Sequence, residues 1–435
     1  MAANKGKLIL LLGLACAGSA VAQESKPTVR HHRVGEDFGG AAVVRAERAL
    51  DQKDYVTAES ALKQALEHDA DNYRAWYDLG VVYNATSRSA DAIAAYRKSI
   101  AAFPKLFEAN FNLGVLLARA GDPEAEKYFR AATELAPTDN RDQNLARAWR
   151  ALAQWLEPKD AKQALAAYRR AAALQPKDPT DCLSAAMVAE KLGDPAVAEQ
   201  EYKVAAERDA NSAEAIAGLA NLYLKAKRLP EAEAALRRYV AIDPENANAH
   251  LQLGRVLAAE DKSDAAQAEF ESALRLAPDN PKAQRELALL YADNKEYAKA
   301  EPLFRAALEK QPDDAESHHR LGKALLQQKK FDQAQKELLA AIKLKPDYGI
   351  AYGDLAFAAS ENKDYVLVIK ALDARAKFLP ELAETLFLRA TAYDHLRAAK
   401  QAAAAYREFL AVANGKYPDQ EWQARHRLIA IEPKK

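Results

Sequence analysis

Apolar residues along this chain fall at helical spacing, in short stretches broken by polar turns. Leu253, Gly254 and Leu257 make one such stretch, and Ala266, Phe270, Ala273 and Leu274 make the next. Intervals of three and four residues put each set on one helix face, so the pattern predicts two amphipathic helices joined by a short turn. The pair then recurs. AWYDLGVVYN at 75–84 returns thirty-four positions later as ANFNLGVLLA at 109–118, and a period of that size predicts a stacked array rather than one globular core.

Cut on this period, the chain gives eleven repeats from residue 39 to about 414, starting at Gly39, Tyr73, Phe107, Leu145, Pro179, Ala213, Ala247, Pro281, Ala315, Gly349 and Ala383. Taking the third repeat as one residue short, the twentieth place holds alanine in ten of the eleven, with Val368 as the exception. Small residues where the paired helices cross, such as Gly254 against Ala266 and Ala273, let the axes approach to about 8–10 Å. Proline closes eight repeats, from Pro104 to Pro380. Lacking an N–H and disfavouring helix in the residue before it, proline ends the second helix and opens the turn.

These residues resemble the tetratricopeptide repeat family. The family's large residue, Leu-Gly, Tyr, Ala, aromatic, Ala and Pro appear here as Trp76, Leu79, Gly80, Tyr83, Ala92, Tyr96, Ser99 and Pro104. They return as His250, Leu253, Gly254, Leu257, Ala266, Phe270, Ala273 and Pro278. The resemblance implies an all-α fold, a right-handed superhelical solenoid of stacked helix pairs over residues 39–414, with places 2, 5, 9, 12 and 13 of each repeat facing a concave groove. The chain departs from the pattern at Arg45 and Ala46 in the first repeat, Ala151 and Leu152 in the fourth, Arg375 in the tenth, and Phe409 and Asn414 in the last.

Between Pro137 and Leu145 the chain carries PTDNRDQN, rich in turn formers. This segment, 137–145, reads either as a joint between repeats 1–3 and 4–11 or as a longer lead-in to the fourth pair. Within 415–435, residues 419–431 read as an amphipathic capping helix that buries Trp422, Leu428 and Ile429 and turns Arg425 and Arg427 to water. Polar residues 23–38 are expected to be disordered.

Composition agrees with a mostly helical chain, since apolar residues make 49% and charged residues 29% while glycine and proline are sparse. Lys+Arg and Asp+Glu both number 62, which removes any general argument for nucleic acid or an anionic membrane as the main partner. Lys5 and Lys7 precede an apolar run at 8–15 and then Ala20-Val21-Ala22, the form of a signal peptide (1–22) cut before Gln23. The run is too short to span a bilayer. Export to a periplasm follows as the expectation, with a lipid anchor on Cys16 as the alternative and membrane contact otherwise indirect. Cleavage leaves Cys182 alone, and it reads as a small buried hydrophobe.

The resemblance turns the groove places into candidates for contact with a protein or peptide partner. Tyr77, Phe111, Trp149 and Leu183 at place 5, with Val81, Val115 and Met187 at place 9, make an apolar run; packing against the neighbouring repeat is the competing reading. Asn221, Arg255, Arg285, His319 and Lys323 make a polar and basic run that partly matches the family's grip on a partner's terminal carboxylate, with Leu251 and Leu289 breaking it. Solvated surface charge is the competing reading there.

No strand-linked glycine loop, paired cysteine set or nucleophile elbow occurs, so no catalytic residue, metal site or cofactor is expected. Adjacent His318 and His319 point about 100° apart on a helix, which disfavours a shared metal. His31 and His32 lie in the polar leader and make at most a weak metal site. The reading is therefore a protein- or peptide-binding scaffold or assembly factor in a bacterial envelope. A structural spacer subunit of a polysaccharide-export or outer-membrane assembly machine is the alternative, and an accessory subunit of an enzyme a remote one.

Overall fold

A computed structural model describes residues 40–431. The signal segment 1–22, Cys16, the leader 23–38 and His31–His32 lie outside the described residues. By their internal contacts the residues divide into two compact bodies, which part between Ile242 and Asp243.

The amino-terminal body consists of α1 (Ala41–Asp51), α2 (Tyr55–His68), α3 (Tyr73–Ala85), α4 (Ser89–Ala102), α5 (Phe107–Arg119), α6 (Ala125–Glu134), α7 (Arg141–Leu156), α8 (Ala161–Leu174), α9 (Thr180–Lys191), α10 (Pro195–Arg208), α11 (Ala213–Lys225) and α12 (Leu229–Ile242). The carboxy-terminal body consists of α13 (Ala247–Ala259), α14 (Ser263–Leu276), α15 (Pro281–Asp293), α16 (Tyr297–Lys310), α17 (Ala315–Gln327), α18 (Phe331–Leu344), α19 (Gly349–Glu361), α20 (Tyr365–Arg375), α21 (Ala383–His395), α22 (Ala399–Ala413) and α23 (Pro418–Ile431). No strand occurs among the described residues. The protein is all-α, built of stacked tetratricopeptide-type helix pairs.

Within each body a helix packs on its partner in the repeat and on the following helix. Odd-numbered helices also meet one another directly: α5 meets α7, and α13, α15, α17, α19 and α21 meet in succession. Such contacts set the first helix of each pair on the inner, more crowded side of its stack.

Close approach inside a pair rests on the small residues. A Cβ at Gly254 would stand 2.6 Å from the Phe270 ring and 3.2 Å from the Ala266 carbonyl oxygen. Ala266, Ala273 and Phe270 are fully or almost fully buried. A larger residue at the glycine would force the pair apart or the ring off its rotamer.

The turn inside each pair follows one design. Ten of the eleven repeats place their fifteenth residue in the left-handed region, with Gly121 and Gly193 joined there by Lys53, Ser87, Lys227, Asp261, Lys295, Lys329, Lys363 and Arg397. The next N–H reaches back five residues, as in Lys262 N to Leu257 O at 2.9 Å and Lys330 N to Leu325 O at 2.9 Å. This double-bonded helix ending satisfies carbonyls that the helix leaves open and turns the chain in two residues.

A second recurrent device joins six of the pairs to the turn before them. The fourth residue of a repeat donates to the carbonyl that closes the preceding repeat. Trp76 Nε1 donates to Ala70 O at 2.7 Å, Asn110 Nδ2 to Pro104 O at 3.1 Å, Gln284 Nε2 to Pro278 O at 2.8 Å and the Tyr352 hydroxyl to Pro346 O at 3.1 Å. His250 and His318 place Nε2 3.0 Å from Pro244 O and Pro312 O. Five side-chain types thus serve one purpose, giving a donor to a carbonyl ahead of a helix start.

Two expectations change. The fourth pair, read from Leu145, begins at Arg141, so residues 141–144 of the inserted segment lengthen α7 at its start, and Asn144 anchors it by donating to Asp139 O at 2.9 Å. Segment 137–145 lies inside the amino-terminal body. In α23, Trp422 is 61% exposed and Ile429 70% exposed, Leu428 is half-buried, and Glu421 and Ala424 are the residues turned inward. The reason is register: α23 continues the 34-residue period, so Ala424 falls at the eighth place, where Gly254 and Gly322 stand in their repeats. Arg427 is exposed, as expected, and also pairs with Asp394 at 2.6 Å.

Candidate functional site

The inner wall is where side chains from successive first helices converge, so each predicted groove residue was located on it. The apolar run is largely core. Tyr77, Val81 and Phe111 are buried, Val115, Trp149 and Leu183 are half-buried, and Met187 is exposed. Tyr77 packs on Tyr96 with ring centroids 5.8 Å apart, and Phe111 lies between Phe107 at 5.9 Å and Phe129 at 6.4 Å. These rings fill the space within their own helix pairs, which is the commoner fate of apolar stripes at helical spacing.

The basic run is divided between the bodies. Asn221 is buried in the amino-terminal body, and the other four residues lie in the carboxy-terminal one. There the cations meet the protein's own acids. Arg255 Nε stands 3.1 Å from Glu286. Arg285 Nη2 donates to Glu316 at 2.8 Å, and its Nε lies 3.2 Å from Asp314. His319 is buried, with Nε2 2.7 Å from Asp354 Oδ2 and Nδ1 3.0 Å from the Tyr348 hydroxyl. Burial and the neighbouring acids push the Tyr348 phenol above its usual range. Lys323 is exposed. A partner carboxylate would have to displace these internal acids, so the clamp geometry of a bidentate anion grip is not assembled.

His318 and His319 turn to different partners, His318 Nδ1 lying 2.7 Å from Glu337 Oε2. Cys182 is buried, and burial pushes its thiol up to about 11.

The inner wall opens at the tenth and eleventh repeats. A cleft of about 540 Å³ lies between α19, the segment after α20 and α21, with the start of α23 at its edge. Ile350 is 57% exposed and Phe357 46% exposed. Leu379, Leu382, Phe387 and Leu388 complete the apolar wall, and Asp354, Arg375 and Glu384 are the charged residues among its lining.

Two departures from the repeat pattern make this space. Gly353 stands at place 5, where earlier repeats carry Tyr77, Phe111, Trp149 and Leu183. Arg375 stands at the place that Ala273 and Ala341 hold in their repeats, and the two departures fit each other. A Cβ on Gly353 would lie 3.4 Å from Arg375 Cδ and Nε. The long side chain takes the room that glycine leaves, is only 7% exposed, and donates from Nη1 to Pro380 O at 2.7 Å. α20 accordingly ends at Arg375, and the chain runs without helix to Ala383.

Glu384 accepts from the Tyr417 hydroxyl at 2.6 Å, and that bond, aided by Arg375, holds its carboxyl below the usual range. Gly353 and Phe387 fall at place 5 of their repeats and Phe357 at place 9, groove places by the resemblance. The signal was present as a glycine among large residues paired with an arginine among alanines.

A family model for the tetratricopeptide repeat matches residues 43–107, 85–140 and 251–315, and a second model of the same repeat matches 189–255 and 291–356. The chain belongs to the tetratricopeptide repeat family. Arrays of this family serve in general as protein-interaction scaffolds. No curated protein matches the chain. Among solved structures it is similar to YrrB, described as a tetratricopeptide repeat protein with an unusual peptide-binding site, at 21% identity and TM-score 0.40, over 42% of this chain and 95% of that one. It is also similar to Pseudomonas aeruginosa PilF, at 24% identity and TM-score 0.41, over 50% of this chain and 99% of that one. MamA from Desulfovibrio magneticus matches at 19% identity and TM-score 0.37, over 38% of this chain and 94% of that one.

Proposed function

We propose that the protein is a non-catalytic, exported scaffold that binds a peptide segment of another protein on the inner wall of its carboxy-terminal body. One observation carries this reading: the open apolar cleft beside Gly353, where Ile350 and Phe357 face solvent. Exposed large apolar side chains around a concave space mark binding surfaces, because leaving them in water costs about 25 cal/mol per Å². Helices fixed on both sides hold the cleft open in advance, so little receptor ordering opposes binding. The export reading rests on Lys5, Lys7, the apolar run at 8–15 and Ala20-Val21-Ala22, and a mass measurement on the mature chain should place its first residue at Gln23.

A photo-crosslinking residue placed at Phe357, in the full chain and in the cells that make it, should form adducts with a polypeptide. The same probe at Val366, which is exposed on α20 away from the cleft lining, should not. Equal labelling from both places, or none from Phe357, would remove the inner wall as the binding surface.

A further inference from the structure

Charge around the cleft narrows what fits it. Asp354 and Glu384 line it, and Arg375 is the one cation among its lining residues. That guanidinium lies beneath Gly353 and is bound to the Pro380 carbonyl, while Glu384 is exposed at the edge with its carboxylate fixed by Tyr417. The outer part of the cleft is therefore acidic and the inner part apolar. An acidic partner would meet like charge at close range, and a wholly apolar one would further desolvate both carboxylates, Asp354 bonded to His319 and Glu384 to Tyr417.

We propose, on the strength of the peptide-binding reading above, that the cleft takes a peptide segment presenting a bulky apolar side chain with a lysine or arginine close to it in sequence. The apolar side chain enters over Gly353, between Ile350, Phe357 and Phe387. The cation sits at the acidic edge by Asp354 and Glu384. Recognition is then two-part, in that the apolar anchor supplies most of the affinity and the edge charge selects among apolar segments.

The test is selection of short random peptides displayed on phage against the full chain. Parallel selections use Gly353→Leu, which fills the cleft; Phe357→Ser, which removes an exposed wall and spares the core; and Glu384→Gln, which keeps the Tyr417 contact and removes the charge. Melting curves confirm that each variant folds. The expected pool from the unaltered chain is rich in Phe, Leu or Trp with Lys or Arg within a few positions. A synthetic peptide from that pool should bind about tenfold more weakly to Gly353→Leu or to Phe357→Ser. Its affinity for Glu384→Gln should drop several-fold, with a smaller further loss on raising the salt. A pool retained by the cleft but rich in Asp or Glu, or apolar with no basic preference, overturns the inference and leaves peptide binding standing. A pool indifferent to both Gly353→Leu and Phe357→Ser overturns the two together.

Discussion

Two glycines on first helices show how position decides the effect of a single methyl group. At Gly254 an added Cβ stands 2.6 Å from the ring of Phe270, which is 1% exposed and has nowhere to turn. At Gly353 the nearest atoms are at 3.4 Å and belong to the side chain of Arg375. Alanine is favoured over glycine inside a helix by about 1 kcal/mol, whereas overpacking a filled core costs about 1–3 kcal/mol. Gly254→Ala should therefore lower stability by about 1 kcal/mol or more, and Gly353→Ala should leave it unchanged or raise it by up to about 1 kcal/mol. Chemical denaturation of the two variants checks this, and a loss at Gly353 as large as that at Gly254 would contradict it. The turn residues teach a different lesson. Lys295 and Lys329 adopt φ values of 65° and 59°, although lysine carries no preference for that region. Helix packing imposes the conformation on whatever residue stands there, so nothing in those lysines announced it in the sequence.

At the level of helices, the staples to the closing carbonyls connect six of the pairs with the turn before them. His318 is the titratable example. Its two ring nitrogens face Glu337 at 2.7 Å and the Pro312 carbonyl at 3.0 Å, so the imidazolium can donate to both and a neutral ring to only one. Arg305 stands 3.8 Å from the same glutamate, and Asp314 adds negative charge. The hydrogen bond to Glu337 is the largest influence and raises the His318 pKa above its ordinary value of 6.5. A raised folded pKa means that the group's contribution is whole below the ordinary histidine range and fades as pH rises through the folded value. Thermal melts from pH 6 to pH 8 should fall less for His318→Gln than for the unaltered chain, by about 1–2 °C; an identical slope would show that the staple holds without its charge.

The helix boundaries themselves were legible wherever small residues and prolines kept the period, as from Ala213 to Pro346. The start of the fourth pair is hidden in the sequence because α7 gains its extra turn from Arg141–Asn144, polar residues that carry no apolar periodicity. The inward face of α23 is hidden because its register puts the small Ala424 inside and the large apolar Trp422 outside.

At the scale of the molecule, each helix packs mainly on its chain neighbours within its own body, so the stability of each body is close to a sum of local interfaces. α1 and α2 have a neighbouring pair on one side only among the described residues. Their amide hydrogens should exchange at least about tenfold faster than those of α3 and α4, a gap of about 1.4 kcal/mol in local opening. Mass-spectrometric exchange on the full chain reads this directly, and uniform protection from α1 to α6 would show a more cooperative body than local packing supports. Periodicity revealed the fold because every repeat restates it. The cleft was hidden for the same reason, since it arises where the statement is broken once, at Gly353 with Arg375.

That exchange of volume between positions distant in sequence leaves the 34-residue register and the turn at Lys363 as they are in other repeats, and shortens only the end of α20. Recognition can therefore drift without endangering the scaffold. A lineage that restores a bulky residue at 353 and an alanine at 375 closes one receptor, and the reverse swap in another pair creates a new one while the architecture stays constant.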